Sequence, residues 1–142
     1  MTAVRTILIV DDDEAHRFIA RRAILAAGLT ADVRTASDGD EALRLLGLAG
    51  DGLKSGLEFA VVLLDVRMPG LGGWEVLRRM RASEHTRGIP VVMVSSSNQR
   101  DDVKRSMELG ANSYVIKRSD PERPGAYLAD VARYWTELNL SV

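Results

Sequence analysis

The chain contains no cysteine, which rules out disulfides and thiol chemistry. It contains only two histidines, His16 and His85, at a separation that fits no metal-ligand pattern, so neither is expected to be more than a surface residue. No apolar run is long enough to cross a membrane. The first, Ile7-Leu8-Ile9-Val10, is met at once by Asp11, Asp12 and Asp13, which also argues against a secretory signal. Neither sign of charge dominates: the formal net charge is -1, with both signs spread along the chain. A general nucleic-acid or membrane surface is therefore not expected, and a soluble cytoplasmic protein is. Internal repeats and low-complexity tracts are lacking too. At 142 residues with 46% hydrophobic composition, the expectation is one domain over 1–142 with a single core and no separate output domain.

Four short apolar runs are present, and each ends on a polar group. Asp11 and Asp12 follow Val10, Asp65 follows Val61-Val62-Leu63-Leu64, Ser95 follows Val91-Val92-Met93-Val94, and Lys117 follows Tyr114-Val115-Ile116. Runs this short read as buried parallel strands, and open α/β sheets bind ligands outside the carboxyl ends of their strands. The four polar groups are predicted to meet at one edge of a sheet.

Strand and amphipathic helix patterns alternate five times. The spacing predicts a first helix over about Glu14 to Ala27, capped by Asp13, with Phe18, Ile19, Arg22 and Leu25 dividing core from solvent, and ended by Gly28. A strand follows over Ala31 to Ala36. A second helix over Gly39 to Leu48 turns Ala42, Leu45 and Leu46 inward, and Gly47, Gly50, Gly52 and Gly56 mark a long surface connection. The third strand ends at Leu64 and the third helix covers Trp74 to Arg81. The fourth strand follows Pro90, with the fourth helix over Arg100 to Leu109 before Gly110. The fifth strand ends at Ile116 and the last helix runs over Ala126 to Leu138. Right-handed crossovers make this a flavodoxin-like α/β fold, a doubly wound five-stranded parallel sheet of order 2-1-3-4-5 between helical layers. Asp11 and Asp12 fall at its switch point.

A carboxylate can attack phosphorus and form an acyl phosphate if cations already in place neutralise the equatorial oxygens. Asp65 is the expected nucleophile. Asp11 and Asp12 repel each other unless a cation sits among them, and hard oxygen ligands beside phosphate suit Mg²⁺. Lys117 supplies a fixed cation, and the Ser95 hydroxyl a hydrogen bond to another oxygen. Each group taken alone reads equally well as a helix cap or a solvated side chain. Their order on four of five strand ends is what points to chemistry.

With these motifs in place, the chain resembles the receiver domain of two-component response regulators. The match runs through Ile7 to Asp13, Leu63-Leu64-Asp65-Val66-Arg67-Met68-Pro69-Gly70, Ile89 to Ser95, and Gly110 to Lys117. The resemblance implies that Asp65 accepts a phosphoryl group from a histidine kinase, and that Asp12 binds Mg²⁺ with Asp11 in support. It also gives the metal Asp65 itself and the backbone carbonyl of Arg67. Ser95 and Tyr114 match the pair that reports phosphorylation to a face formed by the fourth helix, fifth strand and fifth helix. Such a protein is no conventional enzyme, though it assists its own phosphorylation and dephosphorylation.

Three positions depart from the family pattern. Gly72 replaces a usual acidic residue and removes a cap from the third helix. Arg118 replaces the proline that usually follows the lysine in a cis peptide, and a trans link is expected, since a non-proline cis bond costs about 2.5–4 kcal/mol. Arg67 places a long cation beside the acceptor. Taken with the aromatic last helix, the absent proline resembles the small regulators that partner bacterial phytochrome kinases. In that helix Leu128, Val131, Trp135 and Leu138 form a predicted core stripe and Tyr127 and Tyr134 an exposed flank, so a homodimer through this face is expected. Arg78, Arg79 and Arg81 read as a solvated helix flank, and Trp74 as packing. Two other readings are a haloacid-dehalogenase-like phosphatase with Asp11 as nucleophile, and a receiver-like interaction module that is never phosphorylated.

Overall fold

The computed structural model describes residues 4–50 and 56–140. Strands β1 (Thr6–Val10), β2 (Asp32–Ala36), β3 (Phe59–Asp65), β4 (Val91–Ser95) and β5 (Ser113–Ile116) alternate with helices α1 (Glu14–Ala26), α2 (Gly39–Leu45), α3 (Gly73–Ala82), α4 (Arg100–Glu108) and α5 (Ala126–Arg133). All strand pairs are parallel, in the order β2-β1-β3-β4-β5. The expected fold class is the one observed. Of the predicted glycine-rich connection, Gly52 lies outside the described residues.

Residue alternation along the strands builds two cores. Leu8, Val10, Val62, Leu64, Val91 and Met93 point to one face of the sheet and pack with Leu43, Leu46, Val76, Leu77 and Met80 of the α2 and α3 layer. Ile7, Ile9, Val61, Leu63, Val92 and Val94 point to the other, against Ala20 and Ile24 of α1 and Leu128 and Ala132 of α5. A strand buried on both faces must be apolar at every position, which is why these runs are unbroken. Burying each large side chain is worth about 1.5–3 kcal/mol, and a one-residue slip would exchange the two cores, so the register is strongly specified.

That register aligns the strand ends. Val10 pairs with Leu64, Leu64 with Met93, Asp65 with Val94, and Ser95 with Ile116. The next residue of each strand therefore leaves the same edge.

Local signals account for most helix limits. The Asp13 carboxylate accepts from the amides of Ala15 and His16 at the start of α1, and Gly47, just past the end of α2, adopts the left-handed conformation (φ 74°) expected at a helix stop. Gly72 caps α3 with no side-chain hydrogen bond, as expected from the missing acidic residue.

Packing overrides the pattern elsewhere. Helix α1 turns Ala20 and Ile24 inward, against the sheet and α5, while Phe18, Ile19 and Leu25 remain exposed. In α2 the inward residues are Ala42, Leu43 and Leu46, with Leu45 half-buried. Leu138 does not belong to the α5 core stripe and is 70% exposed. The last turn is a π-helix over Tyr134–Leu138, closed by the Asn139 amide on the Tyr134 carbonyl, and its extra residue per turn rotates Leu138 off the buried face. Val131 and Trp135 are half-buried against the core, and so is Tyr127, which leaves Tyr134 as the exposed tyrosine of the expected pair.

Arg81 also departs from expectation. Arg78 and Arg79 form surface pairs with Glu75, but Arg81 reaches inward and donates to the carbonyls of Gly110 (2.9 Å), Ile89 (2.8 Å) and Arg87 (3.1 Å) and to Asn112 Oδ1 (3.0 Å). Asn112 Oδ1 in turn accepts from the Val91 amide. One guanidinium thus joins the loops that lead into β4 and β5. Arg81→Ala removes all four of these hydrogen bonds and should lower the unfolding free energy by about 2–4 kcal/mol. Lysine should recover less than half of that, because an ammonium cannot span the fork. Urea titrations of the two variants measure both effects.

Candidate phosphoacceptor site

The aligned strand ends open into a cleft of about 460 Å³ lined by Asp11, Asp12, Asp65, Ser95 and Lys117, together with Asp13, His16, Arg67, Ser96 and Ser97. Every side chain expected at the edge is present. Asp11, Asp65 and Ser95 are buried and Asp12 is exposed.

Lys117 holds the centre. Its Nζ lies 3.1 Å from Asp65 Oδ2 and 3.2 Å from Asp11 Oδ2, joining residues 52 apart in sequence. Burial opposes charge on the ammonium, but the two carboxylates outweigh it and hold the Lys117 pKa above the ordinary lysine value. At Asp65 the balance runs the other way. Burial, reinforced by the Asp11 charge, overcomes the pull of Lys117 and pushes the carboxyl up to about 6. A carboxylate held this close to neutrality in a cleft marks a candidate functional group.

The Asp11 carboxylate accepts from the Asp13 amide at 2.9 Å, and the Asp11 carbonyl accepts from Arg17 Nη1 at 2.7 Å, so the acidic turn is fixed from both sides. Asp13 Oδ1 caps α1 by accepting from the amides of Ala15 and His16. One oxygen each from Asp11, Asp12 and Asp65 lies within 4.8 Å of the others, a spacing and donor chemistry that suit a hard divalent cation.

Ser95 Oγ accepts from the Ser97 amide at 3.1 Å, and Tyr114 donates its hydroxyl proton to the Ser97 carbonyl at 2.7 Å. The two residues expected to switch thus meet on one loop, between β4 and α4. The Lys117–Arg118 peptide is trans, as no cis bond occurs among the described residues.

Three contacts around the cleft were not expected from the sequence. His16 Nδ1 lies 3.5 Å from Asp11 Oδ2 and 3.4 Å from Lys117 Nζ, at the rim of the cleft and not on remote surface. Its position one turn into a helix that starts beside the acidic turn was the available signal. Arg67 does not reach freely into solvent but pairs with Asp102 of α4, and Ser97 Oγ also donates to that carboxylate. Nothing in the spacing of residues 67, 97 and 102 announces this cluster.

Fold and cleft together define a class: signalling proteins that carry an acceptor aspartate at the carboxyl edge of a doubly wound parallel sheet. The chain belongs to the response regulator receiver domain family, whose model matches residues 7–128. It is 36% identical over 135 residues to FilR2 of Methanothrix harundinacea, a probable methanogenesis regulatory protein, covering 95% of this chain and 86% of that one. Among solved structures, the bacteriophytochrome response regulator AtBRR superposes with a TM-score of 0.77 at 34% identity, covering 99% of this chain and 98% of its own. The phosphorylated cyanobacterial phytochrome response regulator RcpA gives 0.86 at 26% identity, over 97% and 98%. The chain is thus a phosphoryl-accepting domain of two-component signalling. Among the described residues no helix is long and apolar enough to cross a membrane.

Proposed function

We propose that this chain is a single-domain response regulator of the cytoplasm that takes a phosphoryl group onto Asp65 from a histidine of a partner kinase. The observation that carries this reading is the Lys117 ammonium set between Asp65 and Asp11, at the edge where Ser95 also emerges. An Asp65 oxygen attacks phosphorus, the new P–O bond forms as the bond to the donor imidazole nitrogen breaks, and the product is an acyl phosphate. Lys117 meets one phosphoryl oxygen and Ser95 Oγ donates to another. Asp11, Asp12, Asp65 and the carbonyl of Arg67 would hold Mg²⁺, which supplies positive charge against the developing negative charge. When Ser95 Oγ turns to the phosphoryl group, its contact with the Ser97 amide changes, and Tyr114, bonded to the Ser97 carbonyl, carries the change to α4, β5 and α5.

The donor inferred here is a kinase of the bacteriophytochrome class, supported by the nearly end-to-end likeness to AtBRR and RcpA. Ile116, Tyr134 and Leu138, exposed on or just beyond β5 and α5, favour a homodimer through the α4–β5–α5 face. Sedimentation at high protein concentration should give a dimer, and a strict monomer with or without phosphorylation would refute it.

Intact-mass spectrometry after incubation with Mg²⁺ and acetyl phosphate tests the central reading. The wild type should gain one phosphoryl group and Asp65→Asn none. No gain in either, even after rapid quenching, would favour a receiver-like interaction module; a gain in the variant would make Asp65 the wrong nucleophile.

A further inference from the structure

Helix α4 is held to the body of the protein in an unusual way. Of its residues Arg100–Glu108 only Ser106 is buried, and Met107 is 45% exposed, so apolar burial contributes little. Polar ties take its place, and they converge on two points.

The first is Asp102. Its carboxylate, 13% exposed, accepts from Arg67 Nη2 at 3.0 and 3.2 Å and from Ser97 Oγ at 2.6 Å. The Ser97 hydrogen bond and the Arg67 charge together hold the Asp102 carboxyl below its ordinary value. The second is Trp74 on α3. Its indole nitrogen donates to Ser106 Oγ at 2.9 Å, and Ser106 Oγ donates to the Asp102 carbonyl at 2.8 Å. Two guanidinium groups lie over the Trp74 ring, Arg105 at 4.9 Å and Arg67 at 5.6 Å from its centroid. Arg67 is common to both points. It is also the residue two positions after Asp65, and its side chain is 66% exposed, held by Asp102 and the face of Trp74.

We propose that Arg67 is a charge relay between the phosphoacceptor and α4: it anchors the first turn of α4 through Asp102 while Asp65 is unmodified, and moves to the phosphoryl oxygens once Asp65 is modified, releasing α4. The inference rests on the reading of Asp65 as phosphoacceptor. A carboxylate carries one negative charge, whereas an aspartyl phosphate presents about two on a fan of oxygens that an arginine fork matches well. Asp102 therefore faces a stronger competitor two residues from where Arg67 is attached. When Arg67 leaves, Asp102 loses its counter-charge and Trp74 loses one of its two cations. Of these polar ties helix α4 then keeps the Trp74–Ser106 and Ser97–Asp102 bonds and the Arg105–Trp74 contact. Helix release thus follows from one side chain changing partners, a second route beside the one through Ser95 and Tyr114.

Hydrogen exchange over residues 97–108 tests this in the full chain, with and without Mg²⁺ and acetyl phosphate, the phosphoryl occupancy being read from intact mass in the same samples. Phosphorylation should speed exchange in the wild type by about two- to fivefold, the range an exposed ion pair can account for. Asp102→Asn keeps the size and the Ser97 contact but not the charge. It should exchange at the fast rate before any donor is added and change less than about twofold on full phosphorylation. Arg67→Gln should match it without donor, which guards against a folding defect peculiar to either variant. The relay is overturned if the wild type is fully phosphorylated and exchange over 97–108 stays the same, or if Asp102→Asn responds to phosphorylation as the wild type does. If the wild type gains no mass, the phosphoacceptor reading itself fails and takes the relay with it, an outcome that occupancy separates from the other two.

Discussion

Asparagine at position 65 should make the protein more stable while removing the proposed phosphoacceptor. In metal-free buffer at pH 7.5 we expect Asp65→Asn to raise the unfolding free energy by about 1–3 kcal/mol, or the unfolding temperature by roughly 3–10 °C. The reason lies in the sign of the Asp65 shift. Its carboxyl stands at about 6 in the folded protein, above the ordinary 3.8, so burial and the Asp11 charge outweigh the attraction of Lys117. Between these two values the folded state binds more protons than the unfolded state, and stability falls as pH rises through that window. An amide has no such penalty and can still accept from Lys117. The advantage of the variant should therefore be absent below about pH 4, grow to about pH 6 and level off above it. Lys117, raised by its carboxylates, contributes stability that is lost only as pH climbs through its own elevated value, so it does not distort this window. Added Mg²⁺ should narrow the gap, because a ligand that binds only the folded wild type stabilises it by mass action. Thermal scans of both proteins from pH 4 to 8, with and without chelator, are sufficient. A lower unfolding temperature for the variant at pH 7.5 would contradict the account.

Two adjacent glycines should behave in opposite ways. A Cβ at Gly73 would stand 2.0 Å from the Asp65 carbonyl oxygen and 2.9 Å from its carbonyl carbon, with no flexible side chain able to give way. Gly73→Ala must displace the start of α3 or the end of β3. We expect a loss of about 3 kcal/mol or more and, with Asp65 as the proposed acceptor, a drop of at least about tenfold in phosphorylation rate, since that residue is the one displaced. At Gly72 the nearest atom to an added Cβ is the Val66 carbonyl oxygen at 3.5 Å, an ordinary contact, and the backbone is extended. Gly72→Asp should supply the cap that α3 lacks and add a few tenths of a kcal/mol, since glycine is itself a tolerable cap. Chemical denaturation of the two variants, with phosphorylation timed by intact mass, checks the pair. Equal effects would mean that crowding at Asp65 is not what requires glycine at 73.

Much of this molecule was open to reading before any coordinates. The unbroken apolar runs could only be strands buried on both faces, and the polar residue ending each of four runs had to emerge at the same edge of a parallel sheet. Asp13 as a cap and Gly28 and Gly110 as helix stops also followed from local chemistry, since a cap or a left-handed turn involves residues only a few positions apart, whereas α2 ends at Leu45 and not at the expected Leu48. The family resemblance then supplied roles that patterning alone left open, such as the pairing of Ser95 with Tyr114.

What escaped depends on distance through space. Arg81 looked like its neighbours Arg78 and Arg79, and only the approach of the Gly110 and Ile89 carbonyls makes it interior. Leu138 continued a helical stripe until the π turn rotated it outward. His16 meets Lys117 across 101 residues, and Arg67 meets Asp102 across 35. The chain by itself determined which residues must be buried, in what order the strands come and which groups leave at the strand ends, because these follow from periodicity and the chemistry of neighbours. The tertiary structure alone decided which charge faces which, because a Coulomb interaction depends on separation in space, and sequence spacing does not set that separation.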